Sequence, residues 1–239
     1  GHHHKFGEMA LARLFTRLTE NKDVDTPSIG DFLKKHPPLC RCKIKENTSW
    51  SCMHGIERWR SDCGCHTGGM DSWNGAWRAP LRAAFDNLAA KTDEIFDKYV
   101  SCFADPWILR NEAIHIYLAD ADSHKRKNLF AKEFLGAISE KEAANVFSLL
   151  EAQRMRMFMY TSCAWFFNDI SGVETRQAIS YALRAAQITE AVSGADLTKS
   201  LVSDLYKVKG NTDKVPNAGI IIDNYIEKHS NFSKKKSVL

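Results

Sequence analysis

The sequence predicts an all-α protein, a multi-helix bundle with one long loop region rich in tryptophan, cysteine and glycine. Long runs rich in Ala, Leu, Lys and Glu repeat their apolar residues at helical spacing. Residues that cap or stop helices stand at the ends of these runs. No segment shows a convincing alternation of the kind that predicts a strand. With 239 residues, 44% of them hydrophobic, the chain can bury a sizeable core.

The N-terminal part of the chain predicts two helices. An amphipathic pattern begins at Phe6 and ends near Asn21. A shorter helix is expected over residues 28–35, because Pro37 and Pro38 stop it.

The middle of the chain shows three helix starts. Pro80 stands in the first turn of a long helix, where a proline is tolerated. Asp105-Pro106 reads as an N-cap followed by the first helical residue. Ser139-Glu140-Lys141-Glu142 is a capping box, in which a hydroxyl and a carboxylate each satisfy a backbone N–H. We expect the helix that it opens to continue through Ala164.

The C-terminal part predicts three more helix boundaries. Gly194 has the residue type that ends a helix. We expect Asp196 to cap a helix that runs through Val208. Pro216 is expected to precede a last helix through Lys228.

Residues 47–78 have an unusual composition. They hold four of the six tryptophans, three of the seven cysteines and two of the nine histidines, with almost no aliphatic residues. A segment that only needs to fold does not need these residue types at such density. The composition therefore suits the wall of a site better than a layer of the core.

The thiols and imidazoles of this segment are candidate zinc ligands: Cys52, His54, Cys63, Cys65 and His66. Zinc takes about four soft ligands, usually from C-x(2–4)-C pairs, and the C-x-H and C-x-C spacings here are tighter. Thiols that pack or hydrogen-bond beneath a loop are the alternative, and a redox-sensing thiol protein is another.

The tryptophans are candidate sugar platforms, because an indole ring offers a flat apolar face and one N–H donor. Trp50, Trp59, Trp73 and Trp77 belong to this group. Trp73 and Trp77 would share a face if their segment were helical. The alternative is that these rings are core residues.

Charged residues complete the candidate set. His54, Arg58 and Arg78 could bind hydroxyl groups or an anion, and Asp169 could serve acid–base chemistry. Surface, capping or ion-pair roles are the alternative for each. No serine or cysteine has a recognisable catalytic base beside it.

Composition argues against several classes of partner. The net charge of +4 is mild, and no basic face with interleaved aromatics suggests nucleic-acid binding. No apolar run approaches the ~20 residues of a transmembrane helix, so we expect no membrane partner. The opening residues lack the charged-then-apolar pattern of a leader, so we expect no secretion. The number of cysteines is odd, and we expect reduced thiols in the cytoplasm.

Three blocks of the sequence resemble a known family: 47–65, 73–81 and 159–172. In this order they are similar to the helical region catalogued as domain of unknown function 3536, which is attached to bacterial proteins of the glycoside hydrolase family 57 type. The resemblance covers nearly the whole chain. The opening Gly1-His-His-His4 is also similar to the end of that family's fourth signature region.

The resemblance implies a function. Family 57 proteins act on α-glucans with retention, through a glutamate nucleophile and an aspartate acid/base on an incomplete (β/α)7 barrel. It implies that residues 1–38 are a remnant of that barrel, that residues 39–239 are the helical domain, and that both catalytic carboxylates lie upstream. The expected partners are an α-glucan or other oligosaccharide and the upstream barrel, with hydrolysis and transglycosylation both open. No cofactor is expected, with zinc as the alternative.

No residue inherits a catalytic role from the resemblance. The residues expected to line or cover a sugar cleft are His3, Trp50, His54, Arg58, Trp59, Trp73, Trp77, Arg78, Trp165 and Asp169.

Overall fold

A computed structural model describes the backbone of residues 6–118 and 123–236, and the side chains of residues 6–118 and 126–227. The chain divides into two compact units, Gly1–Glu46 and Asn47–Leu239. The assignment of residues 1–38 and 39–239 to a barrel and a helical domain stays a prediction.

The first unit contains the two predicted helices, α1 (Gly7–Glu20) and α2 (Ile29–Lys35). The hydroxyl of Ser28 caps α2 by accepting a hydrogen bond from the backbone N–H of Asp31 at 3.1 Å. Neither helix buries a residue. Residues 6–46 form no strand, so the described part of this unit contains no barrel strand.

The second unit is a helical bundle with one two-stranded hairpin, which confirms the all-α prediction for the described residues. Within the described ranges, no helix combines the length and the apolarity that crossing a membrane requires. In chain order the elements are a 3-10 helix (Glu57–Trp59), α3 (Arg78–Val100), α4 (Pro106–Glu112), α5 (Ile114–Tyr117), α6 (Ser123–Phe134), α7 (Glu140–Phe158), α8 (Cys163–Phe166), α9 (Val173–Ser193), α10 (Leu197–Leu205), β1 (Lys209–Thr212), β2 (Val215–Asn217) and α11 (Ala218–Lys236).

The main core lies where α3, α9 and α10 meet. Phe85 of α3, Ile179 of α9 and Leu201 of α10 are buried there. A second apolar cluster surrounds Phe96 at the far end of α3 and includes Leu149 of α7. These residues follow the helical periodicity of the sequence, because one face of each helix must leave water.

Three capping signals act as predicted. The Asp105 carboxylate accepts hydrogen bonds from the first N–H groups of α4. Ser139 and Glu142 form both halves of the capping box. Gly194 ends α9 in the left-handed conformation, with φ of 73°. Local chemistry was therefore enough to place these ends.

The predicted cap at Asp196 is wrong. Its side chain makes no capping hydrogen bond. Instead, the Glu190 carboxylate near the end of α9 accepts the backbone N–H of Thr198 at 2.6 Å. A backbone N–H in the first turn of α10 thus donates its hydrogen bond to a residue of the preceding helix. No local sequence pattern indicates this contact.

Helix α7 ends at Phe158 and does not reach Ala164. The backbone N–H of Thr161 bonds to the Phe158 carbonyl oxygen at 3.0 Å, and its hydroxyl donates to the same atom at 2.7 Å. This turn takes the place of the next helical hydrogen bond, and Cys163 begins the separate short helix α8.

The expectation of no strand is wrong between residues 209 and 217. Strand β1 pairs with β2 in antiparallel fashion, with an irregular register between Lys209 and Thr212. The strands have four and three residues and no apolar alternation, so the sequence pattern could not reveal them. As a result α10 ends at Leu205, earlier than predicted, and α11 begins at Ala218.

Candidate functional site

The loop segment, residues 47–77, runs into α3 and contains one regular element, the 3-10 helix. Its buried residues are Cys52, Arg58, Gly75 and Trp77. Such a small set cannot form a core of its own. Polar contacts to other parts of the second unit therefore have to hold the segment in place.

Arg78, the first residue of α3, ties the loop segment to residues 159–172. Its Nε donates to the Trp165 carbonyl oxygen at 3.0 Å, and both Nη atoms donate to the Cys65 carbonyl oxygen at 3.3 Å. The Trp165 indole N–H returns a hydrogen bond to the Arg78 carbonyl oxygen at 3.2 Å. Arg78 is 2% exposed, so its role in this structure is that of an anchor.

A second set of ties comes from Asn168, Asp169 and Asn211. The Asn168 side-chain oxygen accepts the backbone N–H of Thr67 at 2.8 Å. The Asn211 side-chain nitrogen donates to the carbonyl oxygens of Asn74 at 2.9 Å and Asn168 at 3.0 Å. The Asp169 carboxylate accepts the Asn211 N–H at 2.6 Å. Sequence reasoning missed the two asparagines, because no motif distinguishes an amide that bonds to the backbone.

Four of the five predicted metal ligands converge. The Sγ atom of Cys52 lies 3.8 Å from that of Cys63 and 3.7 Å from that of Cys65. Nδ1 of His54 lies 3.5 Å from Sγ of Cys65 and 3.9 Å from Sγ of Cys52. All four ligand atoms lie within 4.8 Å of one another. These four side chains are called the Cys/His cluster below.

His66, the fifth predicted ligand, lies outside the Cys/His cluster. Its Nδ1 accepts a hydrogen bond from the backbone N–H of Gly68 at 3.3 Å.

Hydrogen bonds and burial shift the pKa values of Cys52 and Cys65 in opposite directions. Burial opposes the ionisation of Cys52, but hydrogen bonds from the backbone N–H groups of Arg58 and His54 lower the pKa of this thiol to about 7. Burial raises the pKa of Cys65, and the sulfurs of Cys52 and Cys63 raise it further. Of these two thiols, that of Cys52 therefore ionises more readily.

Two glycines shape the backbone around the cluster. Gly55 follows His54 with φ of 76°, and Gly64 separates the other two cysteines with φ of 74°. Both angles are in the left-handed region, where a Cβ is unfavourable. A Cβ at Gly55 would also overlap the carbonyl oxygen of Asn47, whereas a Cβ at Gly64 would meet no atom within 4 Å.

Gly55 and Gly64 allow a matched test of how closely the backbone of the loop segment is packed at Gly55. Gly55→Ala is expected to lower the free energy of unfolding by about 2–4 kcal/mol, through left-handed strain and overlap with the backbone. Gly64→Ala adds only the strain, and about 1 kcal/mol is expected. Urea denaturation of the two variants measures the difference. Equal losses would contradict the close approach of Gly55 to Asn47.

A pocket of about 330 Å³ lies beside the cluster, and Cys65, a member of the cluster, also lines this pocket. The half-buried indole of Trp73 forms one side. A Cβ at Gly69 would lie 3.0 Å from Cε3 of this ring, so the glycine lets the main chain pack against the indole. Other lining residues include Asp62, His66, Asp71, Asn74, Arg78 and Asn168. We call this cavity the Trp73 pocket.

The predicted sugar residues divide into an accessible and a buried group. Trp50 is 90% exposed, His54 is exposed, and Trp59 and Trp73 are half-buried. His3 lies outside the described residues. The buried group consists of Arg58, Trp77, Arg78, Trp165 and Asp169. Of these five residues, Arg78 alone lines the Trp73 pocket.

The family model described as Domain of unknown function (DUF3536) matches residues 73–236. The match begins at Trp73, so the Cys/His cluster lies before it. No curated protein and no solved structure is similar enough to the chain to count as a match.

Proposed function

We propose that this chain, which belongs to the DUF3536 family, binds an oligosaccharide in the Trp73 pocket. In this proposal the chain is the helical part of an α-glucan-acting protein of the glycoside hydrolase family 57 type. The proposed role is substrate binding. The sequence resemblance assigns no catalytic residue to this chain, so cleavage or transfer of the glycosidic bond is not attributed to its side chains.

The observation that carries the proposal is the composition of the Trp73 pocket. An indole stands in one wall, and carboxylate, amide and imidazole side chains stand around it. Sugar rings present apolar faces to indoles, and their hydroxyl groups bond to polar groups of this kind. The volume of about 330 Å³ lies within the ~300–1,000 Å³ common for small-molecule sites.

Arg78 and Asn168 hold the wall of the Trp73 pocket in place through hydrogen bonds to the backbone. Arg78 lines the pocket, and its guanidinium group donates to the backbone carbonyl oxygens of Trp165, Cys65 and Phe167. Asn168 lines it and bonds to Thr67 and Gly68. A wall that is already held by such contacts loses little conformational entropy when a ligand binds.

Replacing Trp73 with alanine is expected to weaken binding of maltoheptaose, an α-1,4-linked oligosaccharide, about tenfold, because one stacked ring contributes about 1.4 kcal/mol. Isothermal titration calorimetry on the whole chain measures the affinity. Trp107→Phe is the control, since Trp107 lies on α4 and does not line the pocket. A chain that binds no maltoheptaose, or a Trp73→Ala variant of unchanged affinity, would contradict the proposal.

A further inference from the structure

We propose that Cys52, His54, Cys63 and Cys65 bind one zinc ion that holds the loop segment in its folded shape. This site goes beyond the proposed function, because it requires no oligosaccharide. It also lies before the part of the chain that the family model matches.

The distances within the cluster fit a tetrahedral zinc centre. Bonds of about 2.3 Å to sulfur and about 2.0–2.1 Å to nitrogen place two sulfurs ~3.8 Å apart and a sulfur ~3.5 Å from a nitrogen. In the structure, the Sγ atom of Cys52 lies 3.8 and 3.7 Å from the other two sulfurs. Nδ1 of His54 lies 3.5 and 3.9 Å from two of the sulfurs. Four of the six distances among the ligand atoms therefore agree with the tetrahedron, and the other two are no longer than 4.8 Å.

Neither a disulfide nor hydrogen bonding between thiols accounts for the whole of this geometry. A disulfide needs sulfurs about 2.05 Å apart, and all the cysteines of the chain are free. Thiol hydrogen bonds could join two sulfurs, but they are weak and do not require a histidine nitrogen at a fourth corner. Ordering four side chains in an exposed loop costs conformational entropy, which a metal ion would offset.

Two buried arginines provide an independent observation. Arg58 is 3% exposed and Arg78 is 2% exposed, yet no carboxylate of the described residues forms an ion pair with either. The Nε atom of Arg58 is buried with no hydrogen-bond partner in the described part of the chain. Burying a cation without a close ion-pair partner is costly. Three thiolates around a divalent ion carry one net negative charge, which would offset part of the charge of these two cations.

The identity of the ion follows from its ligands. Three thiolates and one imidazole form a Cys3His set, which zinc uses in closed structural sites. Soft thiolate ligands disfavour magnesium and calcium. The left-handed residues Gly55 and Gly64 turn the chain beside each ligand pair, and they allow spacings of one intervening residue where two to four are usual.

The metal would also fix one wall of the Trp73 pocket. Cys65 belongs to both sites, and its carbonyl oxygen is held by the Arg78 guanidinium group. The loop segment, with few buried apolar residues, would gain from the ion the rigidity that a core supplies elsewhere.

The test is a titration of the whole reduced, metal-free chain with cobalt(II) and then zinc(II), without sugar. We expect one cobalt per chain with the visible bands of tetrahedral cobalt and a thiolate charge-transfer band, both removed by zinc. Cys63→Ser and Cys65→Ser should weaken binding by more than the ~10–100-fold cost of losing a residue that only supports a metal ligand. Cys102→Ser and Cys163→Ser change exposed thiols outside the cluster and should leave binding unchanged.

A thermal measurement guards against variants that fail to fold. Removing the metal from the wild-type chain should lower Tm by roughly 5–10 °C. The absence of a tetrahedral, thiolate-bound cobalt spectrum in the folded wild-type chain would overturn the proposal, as would unchanged binding by Cys63→Ser. Neither result affects the sugar titration, which has its own readout.

Discussion

Replacing Arg78 with methionine is expected to lower the free energy of unfolding by about 3–5 kcal/mol. The guanidinium group of Arg78 donates to the carbonyl oxygens of Trp165, Cys65 and Phe167. Methionine fills much of the same volume but donates no hydrogen bond, so these acceptors lose their partners. Urea denaturation followed by circular dichroism measures the loss.

The matched control for Arg78 is Arg82→Met on the same helix. The Arg82 side chain is 42% exposed and pairs with Asp86 at 3.0 Å. Exposed pairs of this kind contribute less than about 1 kcal/mol. If both methionine variants lost the same stability, the role of Arg78 as an anchor would be refuted.

Replacing Trp165 with alanine is expected to cost about 3–5 kcal/mol, the usual cost of removing a large buried aromatic ring. The ring is 1% exposed. It lies edge-on to Phe85 at 5.7 Å between centroids and is stacked with Tyr160 at 6.4 Å. Thermal and urea unfolding of the purified variant measure the effect. Because Trp165 and Arg78 bond to each other, the double variant should lose less than the sum of the two.

Trp50→Ala is the control for Trp165. The Trp50 side chain is 90% exposed, and its ring touches Phe166 with centroids 5.9 Å apart. We expect a change within about 1 kcal/mol. A large loss at Trp50, or a small one at Trp165, would show that the two side chains are not placed as described.

Local signals predicted most of the helical fold. The capping box at Ser139, the N-cap at Asp105 and the stop at Gly194 act within one turn of chain, so the sequence shows them directly. The errors had other causes. Glu190 of the preceding helix replaces Asp196 as the cap of α10, a turn between Phe158 and Thr161 ends α7 early, and the short β1–β2 hairpin has no apolar alternation. The contacts of Asn211 with Asn74 and Asn168, which the sequence did not reveal, join residues far apart in the chain.

The candidate site was predicted in part. Residue types and spacing selected Cys52, His54, Cys63 and Cys65, although equally well as packed thiols. The sequence also grouped the tryptophans as sugar platforms without separating the exposed Trp50 from the buried Trp77 and Trp165. Exposure depends on which segments cover a ring, and those segments come from residues about ninety positions away.

The amino-acid sequence was sufficient to establish that the chain forms helices, where most of the longer helices begin, and which residues could serve a metal or a sugar. Which of these residues meet depends on the folded chain as a whole. Helix periodicity and capping are interactions over a few residues, whereas the Cys/His cluster and the Trp73 pocket arise when Arg78, Asn168 and Asn211 fasten the loop segment to other elements. The partners in those bonds are backbone atoms, which every residue carries and which therefore leave no signature in the sequence.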